Sequence, residues 1–150
     1  MTAAATAFMI FGIGTQFALV AFFAARRWVP GRALTFGRVA YSVAGLGLPV
    51  GVWLAIDGQS WRLWAGPLIL AAWAAFGATL DLWRKVEWRD PIMPRFFAPF
   101  VTLYFFGQMF LWWPLLDIAR GAWAVFAVLF VVNTALNLVG HFGKHSTRTT

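Results

Sequence analysis

Five long apolar segments, separated by short polar ones, set the pattern of hydrophobic and polar positions along the chain. Each segment has close to the roughly 20 residues that a helix needs to cross the hydrocarbon core of a bilayer. The apolar runs are continuous, which is unlike the alternating pattern of a transmembrane β-barrel. We therefore predict a single domain over residues 1–150, an all-α integral membrane protein built as a compact bundle of five transmembrane helices, at residues 3–25, 39–56, 63–80, 96–116 and 122–140.

Two prolines allow a competing count of four spans. Pro49 and Pro67 fall inside the second and third segments, so one of these short segments would then be re-entrant. Proline is nevertheless tolerated in membrane helices, because neighbouring groups satisfy the backbone that it leaves free. The first segment lacks the basic stretch that precedes the apolar core of a signal peptide, so we expect it to be retained as a helix.

Composition agrees with a lipid environment. The chain is 61% hydrophobic and only 11% charged, whereas an ordinary soluble domain has about 25% charged residues. It has no cysteine, which excludes disulfides, thiolate metal sites and cysteine nucleophiles. The net charge of +7 would suggest nucleic acid for a soluble protein, but topology explains it here, and we predict no nucleic-acid partner.

The basic residues predict the orientation. Ten of the twelve lysines and arginines lie before the second span, between the third and fourth spans, or after the fifth, and only Arg62 and Arg120 lie on the other side. Cytoplasmic loops carry the excess of Lys and Arg, so the N-terminus is predicted outside and the C-terminus in the cytoplasm. The preference for arginine over lysine is typical of a GC-rich bacterial genome and favours a bacterial cytoplasmic membrane.

Tryptophans support this layout, because indole rings favour the headgroup level. Trp28, Trp83 and Trp88 fall at the inner boundary, and only Trp73 falls in the middle of a span. The remaining six fall at the outer boundary, where an aromatic cage for a cation or a flat ligand is an alternative: Trp53, Trp61, Trp64, Trp112, Trp113 and Trp123.

A few polar side chains lie deep in the spans, and no charged residue or histidine lies near the midplane. Gln108 and Asn133 fall roughly 12 Å and roughly 16 Å from the same short outer loop, so a hydrogen bond between them is expected. Such amides either hold helices together or contact a polar part of a ligand. The predicted lining of that ligand site is Gln16, Trp73, Tyr104, Gln108, Asn133 and Asn137.

The connection at residues 81–95 mixes tryptophan with basic and acidic residues, and Pro91 and Pro94 end any helical continuation. Asp81 stands one helical turn before Arg84 and Lys85, which predicts a local ion pair. The segment is expected to hold anionic lipid headgroups, or alternatively to dock a partner protein. The predicted contact residues are Trp83, Arg84, Lys85, Trp88, Arg89 and Arg95.

His141 and His145 have the i, i+4 spacing of two metal ligands on one helix. Asp81, Glu87 or Asp90 would have to supply a further ligand from the same side. Gly140 and Gly143 favour an end to the helix there, so a frayed basic tail is the preferred interpretation and no metal site is predicted. Gly47 and Gly51 have the GxxxG spacing that permits close helix packing, within the chain or between subunits.

Five helices in this length, rich in tryptophan, with this orientation and an asparagine in the last helix, resemble the tryptophan-rich sensory protein (translocator protein) family in outline. The tryptophan- and proline-rich first loop of that family is absent, since the corresponding loop reads RRWVPGRALTFGR. No ligand or residue role is carried over from the resemblance.

No familiar catalytic motif is present, since the chain contains no HExxH, GxSxG, GxGxxG or P-loop. We therefore expect a non-enzymatic subunit or accessory component of a larger membrane assembly, partnered by anionic lipids and by other membrane subunits or further copies of the chain. The alternative is binding or transport of a lipid, isoprenoid or pigment in the bundle. A lipid-modifying enzyme that uses His141 or Asp81 as a base comes third. No cofactor is indicated.

Overall fold

The protein is all-helical in the part that the computed structural model describes, which is the backbone of residues 1–89 and 92–142 and the side chains in these ranges up to Asn137. Short 3-10 and π-helical turns extend two of the helices, at Pro30–Arg32 and Thr79–Trp83. The six α-helices are α1 (Ala3–Trp28), α2 (Ala33–Gly45), α3 (Gly47–Ile56), α4 (Trp61–Ala78), α5 (Pro94–Ile118) and α6 (Arg120–Phe142).

Five helical units are long and apolar enough to cross a membrane, which confirms the predicted number. The second unit combines α2 and α3 over Pro30–Ile56, and the third extends α4 to Trp83. They are 27 and 23 residues long. The units that contain Pro49 and Pro67 are therefore both long enough to cross a bilayer. The other units are Ala3–Trp28, Pro94–Ile118 and Arg120–Asn137.

The first connection is much shorter than the predicted loop. Arg26 and Arg27 belong to the last turn of α1, and Val29 alone separates that helix from the 3-10 turn. Arg32 and Arg38, which were expected in a loop, lie in that turn and in α2. The reason is Pro30, which occupies the first position of the turn, where its fixed φ angle favours a new helix and its missing N–H costs nothing.

The second unit is broken at Leu46 into α2 and α3, and the break lets the chain approach α4 closely. A Cβ atom at Gly47 would lie 2.2 Å from the carbonyl oxygen of Pro67, and one at Gly51 would lie 2.7 Å from the side chain of Leu68. Only glycine allows this approach. The GxxxG spacing therefore serves packing within the chain.

The helices pack so that α4 lies against α2, α3 and α5, while α1 lies against α2 and α6. α5 and α6, joined through Ala119, are neighbours as predicted, and the rings of Trp112 and Trp123 stack across them at 5.3 Å. The α1–α2 and α4–α5 connections lie at one end of the molecule, here called the basic end. The α3–α4 and α5–α6 connections lie at the opposite end.

Candidate functional site

Three helices meet at a buried set of polar side chains, the amide network of Gln16, Tyr104, Gln108 and Asn133. Gln16 Nε2 donates to Gln108 Oε1, and Asn133 Nδ2 donates to Gln16 Oε1 at 2.5 Å. The Tyr104 hydroxyl donates to Asn133 Oδ1 at 2.7 Å. The three amide side chains have no exposed surface. The network therefore ties α1 to both α5 and α6.

Gln16 is the centre of this network, which differs from the expected pairing of Gln108 with Asn133. These two amides both bond to Gln16 instead of to each other, because α1 packs closely along α6 and also touches α5. Both polar atoms of the Gln16 amide are used inside the network. Gln108 Nε2 is buried without an acceptor among the described residues.

Trp73 lies next to the amide network and connects it to the basic end. Its ring centroid is 5.6 Å from that of Tyr104 and 5.3 Å from those of Tyr41 and Phe100. The side chain is only 1% exposed. Asn137, the remaining member of the predicted ligand site, lies one helical turn after Asn133 on α6. It forms no hydrogen bond to another described side chain, so it is not part of the amide network.

A second polar set lies at the basic end, the Asp81 network of Tyr41, Asp81, Trp88 and Arg89. Arg89 forms a bidentate ion pair with Asp81, with both N···O distances 2.7 Å. The Tyr41 hydroxyl donates to Asp81 Oδ2 at 2.5 Å, and Trp88 Nε1 donates to Oδ1 at 2.9 Å. The Asp81 carboxylate thus joins the α4–α5 connection to α2.

The ion pair of Asp81 with Arg84 or Lys85 that the sequence predicted is replaced by the pair with Arg89. Asp81 lies in the π-helical turn, and the next residues reverse direction through Lys85, whose φ angle is +49°. This reversal leaves Arg84 and Lys85 exposed and folds Trp88 and Arg89 back onto the carboxylate. A left-handed φ angle is uncommon outside glycine, so the i+3 rule of a regular helix does not apply.

The electrostatics of the Asp81 network favour a fixed charge pair. Burial lowers the pKa of the Arg89 guanidinium, but hydrogen bonds and charge attraction from Asp81 and Tyr41 outweigh burial and raise that pKa above its ordinary value. The guanidinium also lies 4.2 Å from the ring centroid of Trp88. Both Asp81 oxygens accept hydrogen bonds, so the carboxylate is engaged as a structural acceptor and not presented as a free base.

The basic end also has an open cavity, here called the basic cleft, with a volume of about 420 Å³. It lies between the end of α1, the start of α2 and the residues after the π-helical turn. Phe22, Leu34, Leu82 and Val86 contribute to its apolar wall. Its charged lining consists of Arg26, Asp81, Lys85, Glu87 and Arg89.

A smaller cavity of about 360 Å³ lies at the opposite end, between the start of α4 and the end of α5. Three of its nine lining residues are aromatic, and the rings of Trp61 and Phe110 meet edge to face at 5.6 Å. Ser60 and Asp117 add polar atoms to the lining. Trp61 and Trp113 belong to the group of outer tryptophans that the sequence offered as an alternative binding site.

The predicted headgroup-contact residues divide into two groups. Arg84, Lys85 and Arg95 are exposed, and the Trp83 side chain is 86% exposed. Trp88, in contrast, is 1% exposed and packs on Phe100 with a centroid distance of 4.9 Å. Trp88 and Arg89 are therefore occupied inside the protein, because the chain reversal turns them inward.

The histidine pair lies mostly outside the described part of the chain. His141 lies in α6, but its side chain is not described, and His145 and Asp90 are outside the described residues. Among residues 1–89 and 92–137, no group of three His, Asp or Glu side chains is arranged to hold a metal ion.

Sequence reasoning missed Tyr41 and Arg26. Tyr41 is one of only two tyrosines in the chain, and its place in an otherwise apolar segment was a signal that it has a partner. Arg26 was assigned to a loop, so its place in the lining of the basic cleft could not be inferred.

No protein-family model, curated protein or solved structure matches this chain.

Proposed function

We propose that the chain is a non-enzymatic membrane protein that works as a subunit or accessory component of a larger membrane assembly. In this proposal it spans a bilayer five times, with its N-terminus outside and its basic end in the cytoplasm of a bacterial cell. The proposal rests on one observation, an exposed face of α6 that carries no bulky or polar side chain from residue 121 to 135.

The exposed positions of α6 from residue 121 to 135 are all glycine, alanine or valine. They recur at the spacing of one helix face, and Val128 and Val131 are 63% and 65% exposed. We call this surface the small-residue face; it comprises Gly121, Ala124, Val125, Val128, Val131, Val132 and Ala135. Three of these seven residues are glycine or alanine, which let membrane helices approach closely and are enriched where such helices pack, and the four valines add no bulky or polar side chain.

The neighbouring helix α5 is different. Its exposed side includes Phe105, Phe106 and Trp113, which are 50%, 51% and 74% exposed. Bulky side chains of this kind are suited to lipid tails. The absence of such bulky side chains from the small-residue face supports a protein partner for α6.

The polar interior supports a non-enzymatic role. The amide network bonds to itself, and the Asp81 carboxylate is engaged on both oxygens. Residues used in this way fix helix positions.

Native mass measurement of protein extracted from its own host in mild detergent tests the proposal. We expect a complex that contains at least one other identified polypeptide in fixed stoichiometry. A lone monomer, or a homodimer without a partner, would contradict it.

Substitution on the small-residue face sharpens this test. Val128→Phe places a ring where close helix approach is expected, so the yield of the complex should fall by about tenfold or more. Val39→Phe is the control, because Val39 is 51% exposed on α2 and has no part in the small-residue face. Equal yields from the two variants would locate the partner elsewhere and remove the observation on which the proposal rests.

A second candidate function is binding of an apolar small molecule in the cavity at the opposite end. Its volume of about 360 Å³ and its aromatic lining agree with the usual make-up of small ligand sites, which are apolar with a few polar groups. In this proposal the cavity replaces the amide network as the ligand site, because the three amide oxygens and the Tyr104 hydroxyl are engaged within the network and its amide side chains have no exposed surface.

A tryptophan-quenching titration with a brominated lipid or isoprenoid analogue tests the second candidate. Trp61→Leu should weaken saturable binding by about tenfold. Trp83→Leu is the control, because Trp83 is exposed at the basic end. Equal binding affinities for the two variants would contradict a ligand site in this cavity.

A further inference from the structure

We propose that the basic cleft is a specific site for the phosphodiester headgroup of an anionic phospholipid, with Arg26 and Lys85 as its phosphate-binding residues. The inference rests on the proposed insertion in a membrane, but it does not depend on the proposed assembly with other subunits.

Arg26 is the first element of the site. It lies in the last turn of α1, is half-buried, and has its guanidinium carbon 5.7 Å from the ring centroid of Phe22. It forms no ion pair with any carboxylate among the described residues, where the one ion pair joins Asp81 to Arg89. A partly buried guanidinium that lacks an anion is suited to a phosphate, which it can bind in a bidentate manner.

The charges of the cleft favour an anion. Asp81 and Arg89 cancel one another in their bidentate pair, which leaves Arg26 and Lys85 against Glu87. Glu87 is exposed, so water screens its charge more than it screens the charge of the half-buried Arg26. The strained, left-handed backbone at Lys85 directs that residue to the cleft, and strain of this kind concentrates at ligand sites.

The shape of the cleft favours a lipid over a free anion. Phe22, Leu34 and Leu82 line it beside the charged groups, so apolar and basic surfaces are continuous. The cleft lies at the ends of α1 and α4, which is where headgroups meet the ends of spanning helices. An acyl chain can follow the apolar wall while the phosphate stays at Arg26 and Lys85, whereas inorganic phosphate would leave that wall unused.

Lipid titration by native mass spectrometry in a neutral detergent tests the site. The purified wild-type chain should retain phosphatidylglycerol about tenfold more tightly than phosphatidylcholine. In the double variant with Arg26→Gln and Lys85→Gln that preference should fall by about tenfold, which corresponds to about 1.4 kcal/mol.

A double variant with Arg27→Gln and Arg84→Gln is the matched control. These arginines are the exposed sequence neighbours of the two site residues, so the change in net charge is identical. This variant should keep the lipid preference within about twofold. Equal losses in both double variants would show diffuse attraction to basic charge and overturn the site, as would no loss in either.

Two further measurements keep the test independent of how the variants fold. A photoreactive phosphatidylglycerol on the wild-type chain should crosslink to peptides from the cleft, and crosslinks confined to other helices would overturn the proposal. Millimolar inorganic phosphate should not displace the lipid. Full displacement would instead assign the cleft to a free anion.

Discussion

At the scale of single residues, Asp81 accepts hydrogen bonds from the Tyr41 hydroxyl, the Trp88 indole and both terminal nitrogens of Arg89. Asp81→Asn removes the charge and leaves the Arg89 guanidinium partly buried and unpaired. Breaking a buried pair on one side costs about 3–5 kcal/mol. The side chains of Asp81 and Arg89 are 14% and 25% exposed, so we expect a smaller loss of about 2–3 kcal/mol in unfolding free energy. Unfolding by SDS in mixed micelles measures it.

Glu87→Gln is the control for Asp81. It removes the same charge from the same connection, at an exposed position with no hydrogen bond to another described side chain. Its unfolding free energy should stay within about 0.5 kcal/mol of the wild type. If both variants unfold alike, the Asp81 network does not hold the α4–α5 connection in place.

Gln16 is the other residue on which several partners depend. Gln16→Leu removes the hydrogen bonds to Gln108 and Asn133 and leaves both amides buried without that partner. We expect a loss of about 1–3 kcal/mol in unfolding free energy, since interhelical bonds in membranes average about 0.6 kcal/mol and stranded polar groups add their own cost.

Thr15→Val is the matched control for Gln16. Thr15 is equally buried, but its hydroxyl donates to the Phe11 carbonyl of its own helix at 2.8 Å, so its loss should cost less than about 0.5 kcal/mol. Adding Gln108→Leu to Gln16→Leu should cost less than the sum of the single changes, because the second change removes a stranded amide. Full additivity would contradict a shared network.

The sequence located the deep amides correctly, because a polar side chain in an apolar segment is visible without a structure. It did not identify Gln16 as their centre. That depends on the rotation of α1 about its axis, and α1 carries aromatic and aliphatic residues around most of its circumference. Tyr41 was missed as a partner of Asp81 because their contact depends on how α2 packs against α4. Trp88 was missed because a left-handed residue and a chain reversal bring it to Asp81.

At the scale of elements, the closest approach joins α3 to α4. Gly47→Ala introduces a Cβ atom 2.2 Å from the carbonyl oxygen of Pro67 and 2.9 Å from the carbonyl carbon of the same residue. Backbone atoms cannot move aside without separating the helices, so we expect a loss of about 1–3 kcal/mol or more in unfolding free energy. Thermal unfolding in detergent, followed by circular dichroism, measures the change.

Gly45→Ala, two residues earlier, is the control, because nothing lies within 4 Å of a Cβ atom there. It should leave stability unchanged or raise it by up to about 1 kcal/mol, since alanine is the better helix former. If Gly47→Ala is as stable as Gly45→Ala, the tight α3–α4 contact is not a feature of the folded protein.

Helix existence and approximate bounds could be predicted because length and continuous hydrophobicity are strong signals. The break at Leu46 had a signal in the sequence, because Pro49 cannot donate to the Gly45 carbonyl four residues earlier and glycine flanks Leu46 on both sides. The π-helical turn at Thr79–Trp83 had no such signal, since it contains neither proline nor glycine. The GxxxG spacing indicated a close contact, but not that its partner was the helix that follows.

At the scale of the whole molecule, the proposed orientation has a direct test, because the chain has no cysteine of its own. A single cysteine introduced as Ser60→Cys lies exposed at the opposite end, and one introduced as Arg84→Cys lies exposed at the basic end. In intact cells a membrane-impermeant maleimide should label the first and not the second. Labelling of the second alone would invert the orientation.

Lysis before labelling is the control, and it should make both cysteines reactive.

The basic residues alone predicted this orientation, since their excess lies on one side of the five segments. The neighbours of each helix were less predictable. The short connection between α5 and α6 predicted their contact, but the uniformly apolar segments do not distinguish the partners of helices that are distant along the chain.

The position of Gln16 has a consequence for the time course of synthesis. Its partners lie 92 and 117 residues further along the chain. At about 5–20 residues per second, Asn133 leaves the ribosome roughly 6–23 s after Gln16. During that interval Gln16 Oε1 needs water or another donor for its hydrogen bond. Of the five spanning units, the one with α6 is made after the other four, so a nascent chain that stops before α6 leaves Gln16 Oε1 without its donor from Asn133.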